Sequence, residues 1–246
     1  MPKRERLLHL RMRLDEVPER IVLTGDPGRV DRIAGLLDEP RVLAHNREFR
    51  SVKGEYEGVE VLICSTGIGG PSTAIAVNEL LEAGAELLIR VGTTGALQKG
   101  IEIGSLVVPH GSLRMDGASE FYAPAEYPAV PDPRLALALA REARLEGLTV
   151  YEGIIATLDA FYVDEEWLVE QAGELNLLAV EMECSTIFVL SRLSGARSAA
   201  VLVVDGNIAE GTGKAEVRPS ASELPEESQD ALMRAAEVAL RVLSSE

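Results

Sequence analysis

Histidine and cysteine are scarce in this chain, with 3 and 2 among 246 residues, and 24 Lys and Arg face 40 Asp and Glu. Each shortage excludes a class of chemistry. His9, His45 and His110 are never four residues apart, so there is no HExxH zinc pair and little material for a histidine-based triad; no metal is expected. Cys64 and Cys184 have no CxxC partner and adjoin apolar runs, which predicts buried thiols in a reducing, cytoplasmic setting and not a disulfide framework. A formal net charge of −16 argues against tracking a nucleic-acid backbone, so no nucleic-acid partner is expected and any anionic ligand must be met by local basic residues. Apolar runs such as residues 199–204 are far too short to span a bilayer, and Arg11 and Arg13 interrupt the basic start before any secretory leader is formed.

What is present is 46% hydrophobic residues in a length that suits one large α/β domain or two small ones. Short β-rich runs alternate with helical patterns throughout, without a Pro/Ser-rich linker or an internal repeat, which predicts one α/β domain over 1–246. Residues 1–13 carry five basic side chains against Glu5 and form a basic arm that either packs on its own domain, reaches a neighbouring subunit, or is a solvated tail. Strands are predicted at 21–24, 87–91, 105–108, 177–180 and 199–204, with a hairpin of 49–56 and 59–64 about Gly58. One helix is predicted to open at Pro71 and close at Gly84. A second is capped by Asp132-Pro133 and ends at Gly147, and a third covers 184–193. A last helix carries Leu232, Ala235, Val238, Ala239 and Val242 at helical spacing.

Several motifs fail on inspection. Gly70-Pro71-Ser72-Thr73-Ala74 lacks the last glycine of a nucleophile elbow, and Ile208 and Ala215 break a phosphate loop around Gly211-Thr212-Gly213-Lys214. Gly67-Ile68-Gly69-Gly70 has Ser72 where a dinucleotide fingerprint needs its third glycine. The positive signals are arginines beside glycines or strand ends. Arg29 follows the Gly25-Asp26-Pro27-Gly28 turn, whose backbone N–H groups suit an anion at a strand-to-helix junction. Arg90 lies inside an apolar strand, where it requires either an anionic ligand or a structural ion pair, and Thr93 adds a hydroxyl nearby. Arg47, in Asn46-Arg47-Glu48-Phe49, is by itself as well read as a surface arginine. Glu181 and Glu183, at i,i+2 after an apolar strand, suit gripping a vicinal diol; an acidic helix N-terminus accounts for them equally. Phe161 and Tyr162 suit either a stacking platform or the core.

Taken together in this order, Gly25-Asp26-Pro27-Gly28-Arg29, Ser65-Thr66-Gly67-Ile68-Gly69-Gly70-Pro71-Ser72, Arg90-Val91-Gly92-Thr93-Thr94-Gly95-Ala96 and Glu181-Met182-Glu183 resemble the nucleoside phosphorylase family of uridine phosphorylases and hexameric purine nucleoside phosphorylases. The resemblance implies a three-layer α/β/α fold with a mixed central sheet, assembled from dimers into a hexamer. It implies no cofactor, with inorganic phosphate as co-substrate beside a nucleoside. Phosphate falls to Gly25, Arg29, Arg90 and Thr93, with Arg47 from the neighbouring subunit. Ribose falls to Glu181, Met182 and Glu183, with His9 crossing from the neighbour. The base falls to Thr94, Gly95, Phe161, Glu165 and Asp205, and the catalytic residues are Arg90, Glu183 and Asp205. Total resemblance leans to the uridine branch, with purine or methylthioadenosine as the alternative base. Three positions depart from the family's patterns: Glu165 and Trp167 stand where uridine phosphorylases carry Gln and Arg, and Asp205 stands one position before the purine-branch Asp. Three phosphate-binding arginines argue against a nucleosidase, and a binding protein without turnover is a third reading.

Overall fold

A computed structural model of the chain describes residues 5–212 and 224–246, so residues 1–4 of the basic arm and 213–215 of the rejected phosphate-loop pattern lie outside the description. Nine strands form one sheet: β1 (Arg20–Thr24), β2 (Asp38–Asn46), β3 (Phe49–Tyr56), β4 (Val59–Ser65), β5 (Leu87–Ala96), β6 (Leu106–Met115), β7 (Val150–Leu158), β8 (Ala179–Glu181) and β9 (Arg197–Asn207). The α-helices among the described residues are α1 (Pro27–Ala34), α2 (Gly70–Glu82), α3 (Pro133–Leu145), α4 (Glu165–Leu175), α5 (Cys184–Ser194) and α6 (Glu226–Ser245).

The strand order is β2-β3-β4-β1-β5-β8-β7-β6-β9, and β9 returns to pair with β5. One half is therefore an open twisted sheet and the other a closed ring of five strands that shares β5. Parallel pairs such as β1–β5 and β5–β9 stand beside antiparallel ones such as β5–β8 and β6–β9, so the sheet is mixed. Strand residues alternate between two cores, as a period of two requires. Val22, Ile89, Val201 and Val203 face α1, α3 and α6, whereas Ile21, Leu23, Leu88 and Leu202 face α2 and α5. Helices on both faces of a central sheet make the three layers that the resemblance implies. A smaller cluster, including Leu158, Leu168, Ala172 and Leu177, packs α4 against the ring.

The hairpin about Gly58 and the caps at Asp132 and Gly84 stand where expected; Asp132 accepts the N–H groups of Arg134 and Leu135 at 3.0 Å. Other boundaries move. β5 runs on to Ala96, so Gly92-Thr93-Thr94-Gly95 is strand and not the loop after it. β6 extends past Pro109 to Met115, β9 runs from Arg197 to Asn207, and the strand expected at 177–180 is Ala179–Glu181. β2, β7 and α4 carry no clear period: β2 is a largely exposed edge strand containing Pro40, and α4 buries only Leu168 and Ala172.

Over its described residues, 5–13, the N-terminal arm packs on its own domain and is not a solvated tail. Leu7, Leu10 and Met12 are fully buried, and the loop is pinned to α2 by Glu79, whose carboxylate accepts the backbone N–H of His9 and of Leu10 and meets His9 Nδ1 at 2.7 Å. Burial disfavours the charged carboxylate, but the N–H of Leu10 and the His9 contacts outweigh it and hold Glu79 below the ordinary range. With its folded-state value lowered, Glu79 contributes stability above the unfolded carboxylate range that is lost as pH falls through the folded value. Glu79→Ala should cost about 1–3 kcal/mol by orphaning these donors, seen as a lower Tm at neutral pH, with the difference from wild type shrinking in acid.

Candidate active site

A cleft of about 830 Å³ opens at the carboxyl ends of β1, β4, β5 and β9 and at the junction of β8 with α5. Strand ends suit this role because a strand terminates there with backbone groups free to face a ligand, and loops of different strands converge. Gly25, Arg29, Arg90, Thr93, Gly95, Phe161, Glu165, Glu181, Met182 and Glu183 all line it.

Arg90 is the buried centre. It occupies the position after Ile89 on β5, on the α5-facing side where Leu88 also lies, and is only 4% exposed. Its Nε donates to Glu181 at 3.1 Å and its Nη2 to Glu183, while its buried Nη1 has no hydrogen-bond partner among the described residues. The space for the guanidinium exists because position 92 is glycine: a Cβ there would stand 2.8 Å from Arg90 Cζ and 2.9 Å from Nη2. Burial works against the charge on Arg90, but Glu183 and then Glu181 outweigh it and hold the guanidinium above its ordinary range. Burial pushes the Glu183 carboxyl up; Arg90 opposes the shift and Glu181 adds to it.

The two carboxylates arrive by different routes. Glu181 ends β8 and fills its valences with Arg90, the Thr157 hydroxyl at 2.6 Å, and the N–H groups of Glu183 and Cys184. Glu183 is already off the strand, at the N-cap of α5, and accepts the N–H of Gly69 at 2.7 Å. The helix-terminus reading of this pair is therefore met, and both carboxylates also line the cleft. Gly69 has φ +87°, and this left-handed conformation lets the loop after β4 turn its N–H onto Glu183.

Arg29, half-buried at the start of α1, faces Arg90 across the cleft. Burial lowers its affinity for the proton, Asp205 and Asp26 oppose this, and the positive charge of Arg90 adds to it. Two guanidinium groups thus repel each other across a cavity. In the preceding turn, the N–H of Gly28 goes to the Asp26 carboxylate at 2.8 Å and that of Arg29 to the Asp26 carbonyl at 3.1 Å. Both N–H groups are thereby engaged by Asp26.

The other end of the cleft is apolar. Phe161 and Tyr162 meet edge to face at 5.1 Å and are 45% and 87% exposed, beside Leu158, Val163, Leu168, Val180 and Ile208. Gly95 keeps this wall close, since a Cβ there would lie 3.0 Å from Ile208 Cδ1. Glu165, on the first turn of α4, is the ionisable side chain at this end.

Four expected residues do not line the cleft of their own chain. Thr94 is fully buried and donates its hydroxyl to the Val180 carbonyl, which places it behind the base wall. Asp205 is the extra residue of a β-bulge, because Thr94 pairs with Val204 and Gly95 with Gly206. It is 2% exposed and its charge acts on Arg29, so it stands on the arginine side while Gly206 takes the lining position. Arg47 is exposed at the turn between β2 and β3 with φ +55°, and His9 is held on α2 by Glu79. Sequence reasoning passed over Glu48, Ser72 and Ile208, which line the cleft, and Gly92 beneath Arg90. Strand alternation would have signalled Gly92, two residues from Arg90 on the same face; nothing local marks Ile208.

Residues 19–244 match the model of the phosphorylase superfamily. The chain is 42% identical over 237 residues to a guanosine phosphorylase of Halorubrum lacusprofundi, covering 96% of this chain and 98% of that protein. It is 40% identical over 212 residues to a uridine phosphorylase of Thermococcus kodakarensis, covering 81% and 76%. Among solved structures, a uridine phosphorylase of Vibrio fischeri superposes with a TM-score of 0.90 at 32% identity over the whole of both chains. A purine nucleoside phosphorylase of Toxoplasma gondii, in complex with immucillin-H, also gives 0.90, at 27% identity over 100% of this chain and 98% of that one. With the arginine pair, the buried carboxylates and the aromatic wall all in one cleft of this fold, the chain belongs to the phosphorylase superfamily and stands among its nucleoside phosphorylases.

Proposed function

We propose that the protein cleaves a ribonucleoside with inorganic phosphate, giving free base and ribose 1-phosphate, on a scaffold of the uridine phosphorylase type. The observation that carries the phosphate half is the opposition of Arg29 and Arg90, one with an unpartnered buried Nη1. A divalent anion between them removes their mutual repulsion and supplies acceptors to forked donors. Thr93 and Gly25 complete the phosphate subsite. No cofactor is needed, since phosphate is itself the nucleophile.

The sugar half falls to Met182 and Glu183, with Glu181 holding Arg90 behind them. As the glycosidic bond breaks, positive charge develops on the sugar, and a phosphate oxygen held by the arginines stabilises it and captures the anomeric carbon. The electron pair of the broken bond leaves on the base, which must be protonated or hydrogen-bonded. In the purine-branch pattern that proton comes from an Asp one position after Asp205; here the bulge sets Asp205 beside Arg29, a position suited to tuning the phosphate arginine.

A purine base is the second reading, favoured by Glu165 and Trp167 at the positions where the uridine pattern has Gln and Arg and by the likeness to the Halorubrum guanosine phosphorylase. We further propose an assembly built from dimers, up to a hexamer, in which Arg47 and His9 complete the neighbour's site. Both lie outside their own cleft, and Leu8, Val42 and Ile68 are apolar and at least half exposed. The buried free thiols Cys64 and Cys184 fit a reducing cytoplasm.

Base release from a nucleoside panel should require phosphate; equal release in its absence would make the protein a hydrolase. Arg90→Ala should lower phosphorolysis by about 10²-fold or more and also lower Tm, because Glu181 and Glu183 lose their counter-charge. Gly92→Ala separates the two effects: displacing the guanidinium alone should raise the KM for phosphate roughly tenfold, the cost of one weakened charged hydrogen bond, with a smaller change in the KM for nucleoside. A Gly92→Ala enzyme with unchanged phosphate kinetics would remove Arg90 from the phosphate site.

A further inference from the structure

Glu165 is a half-buried carboxylate in the apolar end of the cleft, and no hydrogen bond or ion pair engages it among the described residues. Leu168, Val180, Ile208 and Phe161 line the same end, so a planar ligand seated there would cover the carboxylate and take it out of water, a cost that hydrogen-bond donors must offset. The position of Glu165 is rigid. Asp164 caps α4 by accepting the Trp167 N–H at 3.2 Å, and Leu168, one turn on, is 1% exposed in the core. The described cations lining the cleft are Arg29 and Arg90, at the opposite end, and Arg90 is already held by Glu181 and Glu183. With no described protein donor at this end, those donors come from the ligand itself.

We infer that Glu165 reads the base, and that the base it fits is guanine, through its N1–H and 2-amino group. The inference rests on the phosphorolysis proposed above and supplies its substrate class. An ionised carboxylate only accepts, with two oxygens side by side. Guanine presents two adjacent donors, N1–H and N2–H, which meet those oxygens in parallel. Hypoxanthine keeps N1–H alone. Uracil presents one N–H flanked by two carbonyl oxygens, so either approach sets a carboxylate oxygen against a carbonyl. Adenine presents an amino group between two ring acceptors, with the same conflict. Phe161 and Tyr162, exposed beside Glu165, stand edge to face, so one ring offers a flat face on which a purine can stack, and the cleft is roomy enough for a purine nucleoside.

The test compares wild type, Glu165→Ala and the isosteric Glu165→Gln, each with confirmed thermal unfolding. kcat/KM is measured for guanosine, inosine, adenosine and uridine with and without phosphate, and binding of free guanine and free uracil by calorimetry. The wild type should rank guanosine above inosine and both above uridine. Glu165→Ala should lower kcat/KM for guanosine on the order of 10²-fold, as expected for losing hydrogen bonds to a charged acceptor, and compress the guanosine-to-uridine ratio at least tenfold, with Glu165→Gln in between. Guanine affinity should fall in parallel and uracil affinity much less. A wild type that prefers uridine, or a ratio unchanged in both variants, overturns the assignment of Glu165. Tight guanine binding lost in Glu165→Ala, with no phosphate-dependent cleavage of any nucleoside, would uphold the base assignment and overturn phosphorolysis.

Discussion

The rest of the site depends on one buried guanidinium. Arg90 replaces an apolar side chain in the central strand of the sheet, and a charge so placed is tolerated only when its surroundings supply opposite charge and acceptors. Glu181 and Glu183 do so, and each is positioned by other elements: Glu181 by Thr157 on β7 and by the first turn of α5, Glu183 by the Gly69 N–H from the loop after β4. One ion cluster therefore ties β5, β7, β8, α5 and the β4–α2 loop to a common point. Its buried Nη1 remains without a partner, so the cluster is satisfied as structure and still incomplete as chemistry.

Glycines set the distances around it. Gly92 leaves room for the Arg90 guanidinium and Gly95 lets Ile208 approach the strand. The bulge at Asp205 has a comparable effect on charge. By adding one residue to β9 opposite β5, it buries a carboxylate that acts on Arg29 and hands the lining position to Gly206. The cleft thus has a charged half, in which two arginines oppose each other beside buried carboxylates, and an apolar half in which Glu165 has no donor among the described residues. Such polarity matches a ligand with an anion at one end and a planar, hydrogen-bonding group at the other.

Much of the fold was legible because its buried strands are continuous apolar runs and its helices carry explicit caps. Residues 21–24, 49–56 and 59–64 and the Asp132 cap could be read from composition and turn chemistry alone. β2, β7 and α4 could not, because an edge strand and a helix with two buried residues have no strong period to detect. The site was legible where one residue type is costly without a reason, as with Arg90 in an apolar strand. It was obscure where the reason is a neighbour distant in sequence: Ile208 meets Gly95 across more than a hundred residues, and Thr94 turns away from the cleft to bond Val180.

By itself the sequence determined the arginines, the carboxylate pair, the aromatic pair and the continuous apolar runs that bury β1, β5 and β9, since these follow from residue chemistry and local composition. Only the tertiary structure decided that Arg29 and Arg90 oppose each other, that Glu181 and Glu183 converge on one guanidinium after leaving the strand by different paths, and that Asp205 faces the arginines. Those outcomes depend on register and on a one-residue bulge. A shift of one residue turns a side chain to the opposite face, and no local pattern records where an extra residue will be absorbed.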